Sequence, residues 1–288
     1  MAKDRKRAER RGKSSLHWPA PRKLATIQSV PPDVFSYLVA GLFGAAIGSF
    51  LNVCIHRLPH HESVIWPSSH CPACGGRIAP YDNIPLLSFL WLRGRCRACR
   101  APISLRYPLV EAANGLGYAW IVWWFGLGWP ALAYAALFSA LLVITFIDAD
   151  HQIIPDRITL PGIPLGILCA ATVLPAGLVN SVVGVLVGGG LLWGMAWLSP
   201  YLFGKEGMGG GDIKLLAMIG AFLGWEPALM TVVVGASVGA TVGLALIALK
   251  RISRDQHIPF GPFLALGAVV AMFFFHDIKA WYVGLLLP

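Results

Sequence analysis

The chain has 288 residues, 56% of them hydrophobic and only 13% charged, with a mean hydropathy of +0.65. Soluble globular domains carry roughly 25% charged residues, so this composition excludes an ordinary soluble enzyme and indicates a membrane protein. The formal charge of +9 would suit a nucleic-acid binder, but nine of the 23 Lys and Arg lie between Lys3 and Lys23; the remaining 265 residues carry only +2, and no nucleic-acid partner is expected.

In chain order, residues 1–32 form a basic tail with no apolar face, read as disordered. It is too long and too charged for a signal-peptide n-region, and the apolar run behind it is long enough to span, so no cleaved signal is expected. The first transmembrane helix occupies residues 33–56, and a polar loop domain follows over 57–107. The rest, 108–288, reads as one membrane-embedded domain. Its apolar runs begin at Pro108 and Ala131, then cover about Ile158–Leu174, Leu178–Leu202, Ile213–Leu223, Pro227–Leu249 and Phe260–Val283. The expected fold is therefore all-α and polytopic, with about eight transmembrane helices.

Charge supports that count. The segments 57–107, 148–157, 204–214 and 250–257 hold thirteen Lys and Arg, whereas the turns between them hold none and the last span holds Lys279. Basic residues collect in the cytoplasm, which places the first set there. The basic tail breaks the pattern, since a single span separates it from the 57–107 loop. Either it is translocated despite its charge, or the first segment does not fully cross, or the chain starts further downstream.

The 57–107 loop contains "HCPACGGRIAPYDNIPLLSFLWLRGRCRACRAP". Cys71 and Cys74 form one C-x-x-C knuckle, and Cys96 and Cys99 a second. Two knuckles suit a tetrahedral four-cysteine site for structural zinc, each turn supplying two thiolates. Two disulfides are the competing reading, disfavoured by a reducing cytoplasm. His60, His61 and His70 are possible substitute ligands but read better as solvated loop residues. Cys54 and Cys169 lie in apolar spans and read as packing residues.

Most carboxylates sit in loops or near helix ends, and Glu111 reads as a polar anchor at the membrane surface. Two places resist that reading. "LLVITFIDADHQIIPD" ends the third span with Asp148, and "EGMGGGDIKLL" opens the sixth with Asp212, both on the same expected face. Helix capping would explain a lone Asp212. The glycines ahead of it, however, clear side chains as a close ligand or backbone requires. Asp150 lies about 200° around the helix from Asp148 and cannot share its face, and Asp156 is expected to cap the fourth span. Aspartates from two helices suggest acid–base hydrolysis, in which the pair shares a proton and activates a water. A transporter or secretion assembly factor, with a zinc docking loop and a proton-relay Asp pair, is the rival. A relay would spread its carboxylates through the membrane depth.

These motifs resemble those of the bacterial type IV prepilin peptidases (leader peptidase and N-methyltransferase), membrane aspartyl proteases of the G-x-G-D kind. The resemblance rests on "GSFLNVCIHRLP", both knuckles, "NIPLLS", "RYPLVE", "IDADHQIIPD", "KEGMGGGDIKLLAM" and "IPFGPFLA". It implies catalytic Asp148 and Asp212, with Gly209, Gly211 and Lys214 completing the G-x-G-D-x-K motif, and zinc on Cys71, Cys74, Cys96 and Cys99. It also implies an enzyme of the bacterial inner membrane with its active site facing the cytoplasm. Such enzymes serve type IV pili and type II secretion. They cut the short basic leader of prepilins and pseudopilins after a glycine, then methylate the new N-terminal residue with S-adenosylmethionine. No G-x-G-x-x-G stretch marks a methyl-donor site, and its residues stay unassigned. Lys214 is left with two roles, headgroup anchoring or biasing the dyad's ionisation.

Overall fold

The computed structural model describes residues 33–204, 209–251, 253 and 258–286. The basic tail 1–32 and residues 205–208 of the glycine-rich stretch lie outside them. Helix α1 (Val34–Arg57) is started by Asp33, whose carboxylate accepts from the Ser36 N–H at 2.8 Å. A 3-10 turn (Pro80–Asn83) and the short α2 (Leu87–Trp91) follow in the polar loop. Next come α3 (Arg106–Phe125), α4 (Trp129–His151), α5 (Asp156–Thr172) and α6 (Gly177–Phe203), then α7 (Gly210–Leu223), α8 (Trp225–Ala248) and α9 (Gly261–Leu286).

The described residues form no sheet, only isolated bridges in the polar loop. The eight helices of 14 residues or more coincide with the eight expected apolar runs. Five of them, α1, α4, α6, α8 and α9, are long and apolar enough to cross a membrane. The other three fall short for visible reasons. Helix α3 carries Arg106, Glu111 and Asn114; α5 has 17 residues interrupted by Pro161 and Pro164; α7 has only 14. Large apolar side chains such as Leu42, Trp193 and Val233 remain exposed, as lipid-facing residues do.

Helix α7 sits at the centre, and every residue from Leu215 to Leu223 is buried. It packs on α4, α5, α6, α8 and α9. Its closest neighbour is α6: a Cβ on either Gly184 or Gly220 would overlap the other's backbone. Small residues at such a crossing let the two backbones touch. On the other side, α1 packs along α3, joined by a buried polar chain. Asn114 Nδ2 donates to Gly44 O at 2.7 Å, Ser139 Oγ donates to Asn114 Oδ1 at 3.0 Å, and Tyr118 Oη meets Ser139 Oγ at 2.9 Å. Buried polar groups need such partners, and here they fix α1, α3 and α4 relative to one another.

The same pair of helices holds the polar loop. Glu111, expected to anchor at the membrane surface, is buried in α3, where Oε2 accepts the Leu86 N–H at 2.8 Å. Leu86 has φ +62°, a conformation that costs an ordinary side chain and so relies on outside support. Arg57, at the end of α1 and also buried, donates to Ser63 O at 2.9 Å and Pro67 O at 2.8 Å.

Candidate active site and metal centre

Three helix ends converge on Asp148. It lies in the last turn of α4, only 5% exposed, and its Oδ2 accepts the Gly261 N–H at 2.9 Å from the start of α9. A Cβ on Gly261 would stand 2.6 Å from that same oxygen, so only glycine fits. The third end is the first turn of α7, which carries Asp212 close enough for its carboxylate to interact electrostatically with that of Asp148. Asp212 Oδ1 is buried with no hydrogen-bond partner among the described residues. The residue does not cap its helix: Gly209 holds the cap position, and no side chain caps the helix there.

The glycines ahead of Asp212 differ in what they do. Gly211 makes room for Ile154, whose Cβ would lie 2.8 Å from an added methyl. Gly210 faces open space, and a methyl on Gly209 would make only ordinary contact with Asp212 Oδ2 at 3.6 Å. The clearance is therefore shared between packing and access.

Lys214 has an ion-pair partner that neither expected role named. Its Nζ donates to both Asp156 oxygens, at 2.7 and 2.8 Å. Asp156 opens α5 without capping it, Pro155 being the cap residue. The pair thus joins the starts of α5 and α7, and as a half-exposed ion pair it contributes about 0–1 kcal/mol. Asp150 points away from Asp148, as its helical angle requires, and pairs with Arg106 at the start of α3.

The metal centre is built from one turn used twice. Cys71 N–H donates to Gly76 O at 2.9 Å and Gly75 N–H to Cys71 O at 2.8 Å. In the second knuckle Cys96 N–H donates to Ala101 O at 2.8 Å and Arg100 N–H to Cys96 O at 3.0 Å. The fourth residue after each leading cysteine is left-handed, Gly75 at φ +69° and Arg100 at φ +62°. The four Sγ atoms all lie within 4.8 Å of one another, and those of Cys71 and Cys99 are 3.9 Å apart. A tetrahedral Zn–S distance of about 2.3 Å implies sulfur separations of about 3.8 Å, so the four thiols fit one metal ion. Backbone amides, that of Cys99 first and then Ala98, pull the Cys96 thiol down, while, against the lowering Ala101 amide, burial and hydrogen bonds with Cys74, Cys96 and Cys71 push the Cys99 thiol up, so the cluster holds its protons unevenly. Arg97, inside the second knuckle, ties it to the 3-10 turn, pairing with Asp82 at 2.5 Å and lying over the Tyr81 ring.

Sequence reasoning therefore named Asp148, Asp212 and the four cysteines, which the fold brings into two groups. It gave no role to Gly261, although the glycine of "IPFGPFLA" begins a span on the same expected face as both aspartates. That position was the available signal.

Together, the helical architecture and the long apolar helices describe a polytopic membrane protein in which two aspartates come together at helix ends. Residues 42–125 match the bacterial peptidase A24 N-terminal domain and residues 135–244 the type IV leader peptidase family. The chain is 40% identical over 269 residues to a prepilin leader peptidase/N-methyltransferase of Stutzerimonas stutzeri, covering 85% of this chain and 93% of the relative. Proteins of the same description from Pseudomonas aeruginosa (39%, covering 84% and 91%) and Aeromonas hydrophila (41%, covering 84% and 92%) are similarly related. No solved structure matches. The chain belongs to the type IV leader peptidase family.

Proposed function

We propose that the chain is a membrane aspartyl endopeptidase of the bacterial inner membrane that removes the leader of type IV prepilins and pseudopilins and then N-methylates the product. The observation that carries the peptidase reading is the meeting of Asp148 and Asp212 from two helix ends. One carboxylate is held by the Gly261 amide, and the other keeps a buried oxygen unpartnered among the described residues.

In this reading the two carboxylates share one proton. The ionised member takes a proton from water as it attacks the scissile carbonyl, and the protonated member donates to the developing oxyanion. The Gly261 N–H keeps Asp148 Oδ2 in place, so no reorganisation is needed when charge develops. Prepilins suit such a site: a charged leader in the cytoplasm and an apolar helix in the bilayer put the cleaved bond at the interface. Asp148 and Asp212 both lie at helix ends on the side assigned to the cytoplasm rather than at different depths, which favours hydrolysis over a relay through the membrane.

Residues 57–107 are assigned as a cytoplasmic module holding structural zinc on Cys71, Cys74, Cys96 and Cys99, and 108–288 as the membrane-embedded peptidase. The second activity uses S-adenosylmethionine, which supplies a methyl group on a cationic sulfur. Asp148→Asn and Asp212→Asn are each expected to lower leader removal by at least about a thousandfold, in the range typical of general acid–base groups, while the protein accumulates normally. Mass spectrometry of a prepilin incubated with each variant measures this. Cleavage at the wild-type rate by either variant removes that aspartate from the site.

A further inference from the structure

Helix α2 (Leu87–Trp91) carries an uncovered apolar face in the middle of the polar loop. Leu87, Leu90 and Trp91 stand at i, i+3 and i+4, the spacing that puts side chains on one side of a helix. They are 62, 70 and 82% exposed. Phe89 turns the other way and packs over Gly94, where a Cβ would lie 3.0 Å from its ring. Left in water, the uncovered face would cost free energy with nothing to offset it.

The contacts of the residues leading into α2 set its depth. Leu86 donates its N–H to Glu111 of α3, and the Glu111 backbone lies against α1, where a Cβ on Gly48 would stand 2.8 Å from Glu111 Cα. Gly48 precedes the α1 end at Arg57 by nine residues, about 13 Å of helix. A cleft of about 280 Å³ repeats the relation, since Phe50 and Val53 of α1 line it together with Asn83 and Pro85. The whole of α1 extends about 36 Å, only slightly more than the hydrocarbon layer of about 30 Å. The start of α2 is therefore held beside stretches of α1 and α3 that lie at lipid depth, not beyond their ends.

Charge selects what covers the face. Arg77, Arg93, Arg95, Arg97 and Arg100 are exposed in the same loop, and among the described residues only Arg97 has an acidic partner, Asp82. A second copy of the chain would bring the same positive charge to the contact, and a basic leader would be repelled by it. The cytoplasmic leaflet carries the opposite sign and attracts basic segments. Tryptophan favours the membrane boundary, and an arginine stem can lie along apolar surface while its head reaches a phosphate.

We propose that α2 is a membrane-embedded element of the cysteine module. Leu87, Leu90 and Trp91 sit among lipid at the cytoplasmic boundary, and Arg93 and Arg95, directly after them, meet anionic headgroups. The module is then seated on the bilayer by its own side chains as well as by Arg57 and Glu111.

The test uses full-length protein with a photo-crosslinking residue in place of Trp91, reconstituted into vesicles of phosphatidylethanolamine and phosphatidylglycerol. A second variant carries that residue in place of Leu87, and a third in place of Leu42, an exposed residue of α1, as the lipid-facing reference. After irradiation, mass spectrometry identifies the adducts. Both α2 positions are expected to give lipid adducts at yields comparable with Leu42. Phosphatidylglycerol should be captured at least about twofold above its share of the vesicle lipid, as two arginines at an anionic surface allow. That excess should vanish in Arg93→Gln/Arg95→Gln. Lipid adducts at Leu42 but at neither α2 position overturn the proposal. Cross-links to a second copy, or to added prepilin, in preference to lipid overturn it equally. Capture in proportion to the vesicle composition, unchanged when both arginines are replaced, does so as well.

Discussion

Gly261 is the residue whose role follows most directly from its surroundings. It must donate its amide to Asp148 and must have no side chain, because a methyl would fall 2.6 Å from the accepting oxygen. Gly261→Ala is expected to displace the carboxylate and slow leader removal at least about tenfold, with a stability cost of about 1–3 kcal/mol for the overpacked site. Cleavage kinetics beside a thermal melt separate the two effects; cleavage at the wild-type rate would show that Asp148 tolerates displacement. The aspartates themselves were legible in the sequence, because carboxylates joined to apolar runs are rare. Gly261 was not: its partner lies 113 residues away, and only the packing of α9 beside α4 joins them. The partner of Lys214 was hidden for the same reason, since Asp156 becomes its neighbour only when α5 and α7 lie side by side.

At the level of elements, the two cysteine knuckles were readable from spacing alone, as was the tight turn at Gly75. The use of the same turn at Arg100, a residue with no special preference for φ above zero, was hidden, because the repeat lies in the backbone. The fastening of this module to α1 and α3 by Arg57 and Glu111 was likewise invisible, each side chain bonding to backbone atoms brought near by folding. Cys71→Ser is expected to lower the zinc bound by purified protein below one ion per chain, whereas Cys54→Ser, buried in α1 away from the cluster, leaves it unchanged. Elemental analysis of both variants decides the matter, and equal zinc in the two would remove the four-cysteine assignment.

For the whole molecule, charge alternation implied that helix ends fall into two sets, and the contacts agree. Asp148, Asp212 and Gly261 gather at one set of ends, while Lys279 pairs with Glu226 at the other. The orientation of those sets is checked with a membrane-impermeant thiol reagent. Leu127→Cys is expected to be labelled in intact cells and Arg157→Cys only after permeabilisation; the reverse pattern would invert the assigned topology. The length of α7 has a consequence of its own. Fourteen residues extend about 21 Å, whereas the hydrocarbon layer is about 30 Å thick. With Gly224 placed at one boundary, the helix would end several ångströms short of the other, and its Asp212 turn would lie below the headgroups. Bilayer thinning over that spot, or a water-filled dimple formed by the neighbouring helix ends, must close the gap. Peptide-bond hydrolysis would then take place in a local dent of the membrane, and lipid thickness becomes a variable that sets its rate.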